Sequence, residues 1–598
     1  MDEKLTELQK GCLVYGVLLV IWLQLTTILA ADCPIKECLC HDRDWPTDER
    51  IIDCRDKNLL SVPLIIASEE IFKELTFSSE NKRCRDNIPS TCSNRIIHIA
   101  NNTFAGLKVR KLDFSTNYVV SVSSDAFRGL ETYLTELILE GNDLRSVPFA
   151  SLPQLTNLKS LTIEHYSLIK NCISSFPQKF PHLETFVLDT LQMQYITSRS
   201  VVGKFPKLKR LEILGNPDFT RFPLGAIRFL TTLEQIRFVK NGISTFQHAG
   251  NALKSLHKLT QLDLSENKLN VLQFGCFNHI QQRIKYLGLH SNKLDGNRLI
   301  TLTEGTWPKL ETLVLDNNPL GTSGIPTNLF KNMPNLEYLY LVKTQLIQIE
   351  HNDFIGLSNL YFLDLSGNKI THIDSGTFTH TPNLKDLELC SLTRSNYKLN
   401  FTAETAQGLQ HLQSINLQKI QLWPSSFWNS LSLMTGLKDI KLVDNGLSNI
   451  QDSAFQYNTQ LERLEISSNS LTELTQAQIN GLGGSLKLLD LSSNSITLID
   501  KCVIEELAVL DTLKLKNNPL HCDCKLKALK EWTKLKQASI EYFEFSLNAE
   551  CSTPKRLRNK SLTRLSKKHL VCPKYTQQIQ CHNFTTPSSV VKPRFRNV

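Results

Sequence analysis

The side chains that could form covalent bonds or hold a metal are concentrated near the two ends of this 598-residue chain. Two quartets of cysteines flank a long repeated region: Cys33, Cys38, Cys40, Cys54, and Cys522, Cys524, Cys551, Cys572. Each quartet allows three disulfide connectivities. Zinc is the alternative for the C-x-C pairs, but paired histidines at zinc-ligand spacing are missing from these stretches. We predict disulfides here, with no metal and no cofactor.

Catalytic patterns are absent from the sequence. It lacks a nucleophile elbow, a phosphate-binding loop, a His-Glu-x-x-His zinc motif and a calcium loop. Asp386 and Glu388 alternate along a predicted strand, an arrangement that suits binding of a basic surface better than acid-base catalysis. We therefore predict that the protein is not an enzyme.

A repeat of 24 to 28 residues, running from about Val109 to Cys522, must position these groups. In one unit Leu259, Leu262, Leu264, Asn267 and Leu269 spell LxxLxLxxNxL. Alternating leucines predict a short strand, and only stacked neighbours can bury its inward side. One degenerate unit (Phe72, Leu75, Phe77) precedes 17 starts: Val109, Leu134, Leu158, Leu183, Leu208, Leu233, Leu259, Ile284, Leu310, Leu336, Leu360, Leu384, Leu412, Leu437, Leu461, Leu486 and Leu510.

This spelling resembles the signature of the leucine-rich repeat family. The resemblance implies an α/β solenoid, bent into a horseshoe, with a parallel β-sheet on its concave face. It also implies that the motif asparagine bonds backbone groups of adjacent turns. Five units lack it, at Tyr166, Leu191, Thr344, Leu392 and Ile420, and we expect local irregularity there, at two or three places along the arc. A recurrent phenylalanine in the second half of the unit is expected to fill the core: Phe104, Phe127, Phe330, Phe354, Phe378 and Phe455.

The cysteine quartets resemble the N- and C-terminal caps of extracellular members of this family. The resemblance implies the pairs Cys33–Cys40, Cys38–Cys54, Cys522–Cys551 and Cys524–Cys572. The layout is similar to those of the acid-labile subunit, the Slit repeat blocks and Toll-like receptor ectodomains. Cys84 and Cys92 bracket a short loop and are predicted to bond each other.

Five further cysteines, Cys172, Cys276, Cys390, Cys502 and Cys581, leave an odd number of thiols. Cys172 and Cys276 are interpreted as small buried apolar residues. Cys581 lies beyond the C-terminal cap, where it would bridge either to Cys502 or to another chain and so form an oligomer.

The expected domain plan has five parts: signal peptide 1–31, cysteine-rich N-terminal cap 32–71, about 18 leucine-rich repeats 72–518, cysteine-rich C-terminal cap 519–573, and a polar, basic tail 574–598 with no fixed structure. The signal is predicted from the apolar run between Cys12 and Leu29, with cleavage after Ala30 or Ala31 and an uncleaved anchor as the alternative. Glycosylation sequons begin at Asn101, Asn400, Asn559 and Asn583.

The predicted partner-binding surface is the concave face, where variable residues lie between the strand leucines. Aromatic residues at its centre and carboxylates around them have the composition of a binding hot spot. The alternative is that aromatic residues merely favour strand structure. The predicted contact residues are Tyr286, His290, Tyr338, Tyr340, Phe362, Asp364, Asp386 and Glu388, with Asp263, Glu266 and Asp316 nearby.

The C-terminal cap is the basic end of a chain whose net charge is only +9. Outside a cell such a patch could attract heparan sulfate, and the alternative is an ordinary solvated face. The patch comprises Lys555, Arg556, Arg558, Lys560, Arg564, Lys567 and Lys568.

The function that fits these features best is that of a secreted leucine-rich repeat glycoprotein, a non-catalytic scaffold that captures an extracellular protein on its concave face. One alternative is a membrane-associated adhesion or receptor subunit at the cell surface, held by an uncleaved N-terminal segment. The other is an extracellular-matrix component that binds glycosaminoglycan through the basic cap. Nucleic acid is not an expected partner, and the membrane is one only if the N-terminal segment is retained.

Overall fold

The structure is a computed structural model that describes residues 33–41, 50–78, 94–145, 147–148, 150–165, 179–247, 252–321, 323–391, 398–537, 547, 549–571 and 581. These residues belong to two compact units, Met1–Ile284 and Lys285–Val598. Several predictions fall outside the described residues: those for the segment 1–31, Cys84, Cys92, Tyr166, Cys172, Leu392, Cys572 and Asn583.

Short strands recur once or twice in each coil of the first unit. They are β1 (Leu39–His41), β2 (Ile51–Asp53), β3 (Ile71–Thr76), β4 (His98–Ile99), β5 (Lys108–Asp113), β6 (Ser121–Val122), β7 (Glu136–Asn142), β8 (Ser160–His165), β9 (Thr185–Asp189), β10 (Arg210–Leu214), β11 (Gln235–Val239), β12 (Thr245–Phe246), β13 (Gln261–Asp263) and β14 (Val271–Leu272). β1 pairs antiparallel with β2, from which a parallel sheet continues through β3, β5, β7, β8, β9, β10, β11 and β13.

The second unit repeats the same arrangement. Its strands are β15 (Tyr286–Gly288), β16 (Thr312–Val314), β17 (Tyr338–Tyr340), β18 (Gln348–Ile349), β19 (Phe362–Asp364), β20 (His372–Ile373), β21 (Asp386–Glu388), β22 (Ser414–Asn416), β23 (Asp439–Lys441), β24 (Arg463–Glu465), β25 (Glu473–Leu474), β26 (Leu488–Asp490), β27 (Leu498–Ile499), β28 (Thr512–Lys514), β29 (Leu520–His521) and β30 (Cys551–Thr553). Its main parallel sheet runs from β15 to β28 in the order β15, β16, β17, β19, β21, β22, β23, β24, β26 and β28.

The helices are short and lie between the strands. They are α1 (Ser198–Val201), α2 (Leu224–Ile227), α3 (Gly296–Leu299), α4 (Pro424–Ser430), α5 (Lys501–Glu506) and α6 (Lys527–Gln537), and 3-10 turns include Leu152–Gln154, Ile300–Thr303, Thr377–His380, Leu431–Leu433, Ala477–Ile479 and Cys524–Leu526. In the part of the chain that the structure describes, none of these helices has the length and apolar character needed to cross a bilayer. The predicted α/β solenoid with a parallel sheet is confirmed in each unit.

Buried asparagines connect successive coils, as the family resemblance implied. Asn318 is fully buried, and its Nδ2 donates to the carbonyl oxygens of Leu289 and Leu315, both at 2.9 Å. Its Oδ1 accepts the backbone N–H of Leu294 at 3.1 Å. One side chain thus satisfies three backbone groups that would otherwise be unpaired in the core.

The expected local irregularity is present in the backbone at Leu191, Thr344 and Ile420. A non-glycine residue with positive φ follows each of them, at Gln192, Gln345 and Gln421, whereas in the coils that keep the asparagine the residue after it has positive φ only at Gly446. The buried Thr344 hydroxyl lies 3.0 Å from the Leu341 carbonyl and 2.9 Å from Asn368 Oδ1, so it replaces part of the missing amide network. At Ile420, the backbone N–H donates to Asn445 Oδ1 of the next coil at 2.8 Å. The strands of both coils stay in register, because the neighbouring asparagine supplies the bonds.

The core consists of the inward leucines and the recurrent phenylalanines. All six phenylalanines predicted to fill the core are fully buried. Phe354 and Phe378 of adjacent coils are stacked with their ring centroids 6.2 Å apart. The recurrent phenylalanines therefore fill the part of the core that the inward leucines of the strands do not reach.

Disulfides close both ends of the described chain. Cys33 bonds Cys40, Cys38 bonds Cys54, and Cys522 bonds Cys551. Cys524 is also disulfide-bonded, while its expected partner Cys572 lies outside the described residues. The predicted caps are therefore present at both ends.

Cys581 bonds Cys502 on α5. This bond excludes the predicted alternative, an oligomer linked through Cys581, because the thiol is already used within the chain. Cys276 is buried, as its interpretation required, and Cys390 is a partly exposed thiol two residues after β21.

Candidate functional site

The outward side chains of the second unit's main sheet lie in rows, because each strand pairs with the next at equivalent positions. One row contains Tyr286, Thr312, Tyr338, Phe362 and Asp386 in that order. The adjacent row contains Gly288, Val314, Tyr340, Asp364 and Glu388. The leucines between the two rows point inward and are fully buried. The repeat thus brings the predicted aromatic and acidic residues together on one surface.

Four aromatic residues form what we call the aromatic cluster: Tyr338, Tyr340, Tyr361 and Phe362. The ring centroids of Tyr340 and Phe362 are 5.2 Å apart, those of Tyr338 and Tyr361 are 6.0 Å apart, and those of Tyr338 and Phe362 are 6.4 Å apart. These distances are typical of interacting aromatic pairs. Tyr361 keeps 44% of its surface exposed, and the other three rings are partly exposed. The result is a contiguous, already ordered apolar surface.

Sequence reasoning missed Tyr361. It considered only positions between and after the strand leucines, whereas Tyr361 directly precedes β19. The backbone N–H of Tyr361 donates to the Glu337 carbonyl at 2.8 Å, which aligns this position with the preceding coil. Mapping the residue before each strand would have found it.

Five carboxylates on or just after strands between β16 and β23 form what we call the acidic cluster: Asp316, Asp364, Asp386, Glu388 and Asp439. Asp316 Oδ1 accepts the Val342 N–H at 2.7 Å, and Asp364 Oδ1 accepts the Ser366 N–H at 2.9 Å. Glu388 Oε2 accepts from Asn416 Nδ2 at 2.6 Å. These partners are neutral, so they orient the carboxylates without cancelling their charge.

Burial and mutual repulsion make this concentration of negative charge unfavourable. Burial raises the pKa of Asp316 to about 6, with a smaller contribution from Asp364. Burial likewise raises the pKa values of Asp386, Glu388 and Asp439. Arg463 Nε lies 3.6 Å from Asp439 Oδ2, but Asp439 Oδ1 is buried without a hydrogen-bond partner among the described residues. Positive charge brought by a ligand would therefore stabilise the ionised cluster.

The remaining predicted contact residues lie apart from these clusters. Tyr286 is separated from Tyr338 by Thr312. His290 follows β15, and its Nδ1 is 3.2 Å from the Ser291 hydroxyl. Asp263 and Glu266 belong to the first unit, where Asp263 is buried and lies 3.5 Å from Arg237.

The predicted basic patch is also on the surface. Its exposed members are Lys555, Arg556, Arg558, Lys560, Arg564 and Lys568, whereas the side chain of Lys567 lies outside the described set. The sequon asparagines Asn101, Asn400 and Asn559 are exposed as well.

Comparison with known families agrees with the fold. The family model described as "Leucine rich repeat" matches residues 308–370, 358–422, 435–484 and 459–520. A second model, "BspA type Leucine rich repeat region (6 copies)", matches residues 78–200. Together the two models match more than half of the chain. The chain is a leucine-rich repeat protein.

Individual relatives are distant. This leucine-rich repeat chain is 24% identical to CD180 antigen of Mus musculus over 494 residues, 78% of this chain and 68% of the relative. It is 27% identical to Toll-like receptor 3 of Boselaphus tragocamelus over 321 residues, 52% of this chain but only 33% of the receptor. Among solved structures, Toll in the Drosophila Toll–Spatzle complex superposes with a TM-score of 0.60 at 19% identity, covering 91% of this chain and 77% of that one. The last likeness shows the fold alone.

The relatives and the disulfides both indicate on which side of the cell membrane the protein is located. Disulfides persist in oxidising compartments and are rare in the cytosol. With the caps bonded and receptor-like relatives, this leucine-rich repeat protein is extracellular or cell-surface.

Proposed function

We propose that the protein is a non-catalytic binding protein that captures a protein ligand on the aromatic and acidic clusters of its second unit. The aromatic cluster carries this proposal. Three ring contacts join its four residues, which lie on or directly before two adjacent strands, β17 and β19, and all four rings remain at least partly exposed. Aromatic side chains held in place before binding supply large contact area at little further cost in conformational entropy.

The acidic cluster indicates the chemistry of the ligand. Four of the five carboxylates have pKa values raised by burial, and one has a buried oxygen without a hydrogen-bond partner among the described residues. Such a group favours a surface that presents lysine or arginine around an apolar centre. An acidic ligand would be repelled from the same residues. We therefore infer an apolar contact surrounded by basic side chains.

We further propose that the protein is secreted, with a cell-surface receptor subunit as the alternative. The relatives named CD180 antigen and Toll-like receptor 3 favour a receptor-like role, and the solved Toll structure holds the protein Spatzle. N-terminal sequencing of the mature chain separates the two forms: a start near Asp32 supports secretion, and a retained apolar segment supports anchoring.

The decisive experiment replaces two rings of the aromatic cluster. In Tyr338→Ala with Tyr340→Ala, we expect affinity for the ligand to fall at least about 30-fold, because each interface hot spot contributes about 2 kcal/mol or more. The measurement is quantitative affinity capture from extracellular fluid, in which proteins retained by the wild-type chain are compared with those retained by the variant.

Tyr457→Ala provides the matched control. Tyr457 is an exposed tyrosine of the same unit that lies outside the main sheet, with 51% of its surface exposed. Its variant should retain the ligand, and both variants should keep the wild-type circular dichroism spectrum. A ligand captured equally by all three chains would rule out this surface.

A further inference from the structure

The C-terminal cap concentrates positive charge in a short stretch of backbone. Between residues 549 and 571 the sequence has seven lysines and arginines and one acidic residue, Glu550. After β30, this stretch folds into three 3-10 turns, Lys555–Leu557, Leu562–Arg564 and Lys567–His569. The basic residues are distributed over all three turns.

Hydrogen bonds and a disulfide unite these turns into one surface. Arg556 Nη2 donates to the His569 carbonyl at 3.3 Å and so joins the first turn to the third. The Asn559 N–H donates to the Cys551 carbonyl at 2.8 Å, and the Cys551 N–H donates to the Lys560 carbonyl at 3.0 Å. Because Cys551 is bonded to Cys522, the loop is fixed to the end of the repeat stack.

A hydrogen bond from α6 holds the second turn in place. Lys530 of α6 is 9% exposed, and its Nζ donates to the carbonyl of Thr563 beneath the second turn. The nearby pair Lys536 and Asp511, 2.8 Å apart, is neutral as a pair. Glu550 is exposed beside Ser561 and is the one acid of the loop region. Between residues 549 and 571, positive charge therefore exceeds negative charge by seven residues to one.

We propose that the cap binds sulfated polysaccharide through its exposed cations, Lys555, Arg556, Arg558, Lys560, Arg564 and Lys568, which we call the basic cap surface. Guanidinium and ammonium groups recognise sulfate oxygens by charge-assisted hydrogen bonds. A linear chain with a sulfate on each sugar would contact several of them at once, so that individually weak contacts accumulate.

The arrangement of apolar side chains favours polysaccharide over a membrane or a nucleic acid. The apolar residues of the three turns, Leu557, Leu562 and Leu565, are all buried. Val571, at the end of the stretch, is the one exposed aliphatic side chain between residues 549 and 571, which is too little for insertion into a bilayer. The stretch also has no phenylalanine, tyrosine or tryptophan on which a base could stack.

The test measures binding of the full chain to heparin. N-linked glycans are removed enzymatically first, because Asn559 is exposed within the basic cap surface and a glycan there would screen it. In Arg558→Glu with Lys560→Glu, we expect the Kd for heparin to rise about tenfold or more. A second variant in the other turns, Lys555→Glu with Lys568→Glu, should show the same loss.

The control changes the net charge equally at another place. Lys309→Glu with Lys331→Glu replaces two exposed lysines of the same unit and should leave the Kd for heparin within about twofold of wild type, because distant exposed charges are screened. Equal losses in the control and cap variants would overturn the proposal, as would equal binding to desulfated heparin. Binding to phosphatidylserine vesicles without binding to heparin would overturn it in favour of a membrane.

Discussion

Single buried side chains decide whether the polar backbone of each coil is satisfied. Asn368 is fully buried, and its Nδ2 donates to the carbonyls of Leu341 and Leu365, each at 2.7 Å. Its Oδ1 accepts the Leu346 N–H at 3.1 Å and interacts with the Thr344 hydroxyl at 2.9 Å. Thr344 depends on this amide because its own coil lacks the motif asparagine. Asn368 therefore serves two coils.

Asn368→Ala should lower the free energy of unfolding by about 3 kcal/mol or more, since each buried polar group left unpaired costs about 1–3 kcal/mol. The control is Asn335→Ala. The exposed amide of Asn335 donates one hydrogen bond to the Pro308 carbonyl at 2.7 Å. We expect this substitution to lower the free energy of unfolding by less than about 1 kcal/mol. Urea denaturation gives the stability, and hydrogen exchange should show faster opening near Leu346. Comparable losses in the two variants would contradict this role.

Asp316 gives a pH-dependent prediction at the same scale. Burial raises its pKa from 3.8 to about 6, so the folded state holds a proton that the unfolded state has released between these two values. This side chain therefore makes the fold less stable as the pH rises from about 4 to about 6, and the cost persists at neutral pH.

Asp316→Asn removes the charge while leaving an oxygen that can accept the Val342 N–H. After allowance for partial exposure, we expect the variant to be more stable than wild type by about 2 kcal/mol near neutral pH. The difference should shrink through pH 6 and disappear near pH 4. It is measured by urea denaturation of both chains across this range, and a difference that stays constant with pH would show that ionisation is not its cause.

At the scale of strands and coils, spacing alone predicted most of the arrangement. The LxL alternation predicted where each strand lies, and equal positions in successive coils predicted that Tyr338 and Phe362 would be neighbours. The repeat could do this because parallel pairing transfers one register to the next strand. Equal spacing in successive coils also predicted the positions of the fully buried phenylalanines.

What spacing could not predict depends on side-chain packing. The contact of Tyr361 with Tyr338 follows from ring orientation outside the strand, and Asp439 Oδ1 is buried without a hydrogen-bond partner among the described residues. The hydrogen bonding at Thr344 depends on a residue in the following coil, Asn368. To predict any of these features, one must know which side chains lie on the adjacent coils as well as the motif of one coil.

At the scale of the molecule, the second unit carries two surfaces of opposite charge. Between β23, which carries Asp439 of the acidic cluster, and β28, next to the cap, the sheet advances by three strand spacings, or roughly 15 Å. Electrostatic interactions at physiological salt are screened within about 8 Å. The two surfaces should therefore bind their ligands independently, and one chain could hold a protein ligand on a polysaccharide matrix.

Independence can be tested on heparin-coated beads loaded with the full chain. The loaded beads should capture the same extracellular protein as the free wild-type chain. Beads loaded with the Tyr338→Ala, Tyr340→Ala variant should carry as much of the chain but lose that ligand, because the basic cap surface is intact. The Arg558→Glu, Lys560→Glu variant should bind the ligand in solution with wild-type affinity yet fail to hold it on the beads. Three strand spacings exceed the screening distance, so direct electrostatic interaction between the two surfaces should be weak. Weaker ligand binding by this cap variant in solution would contradict their independence.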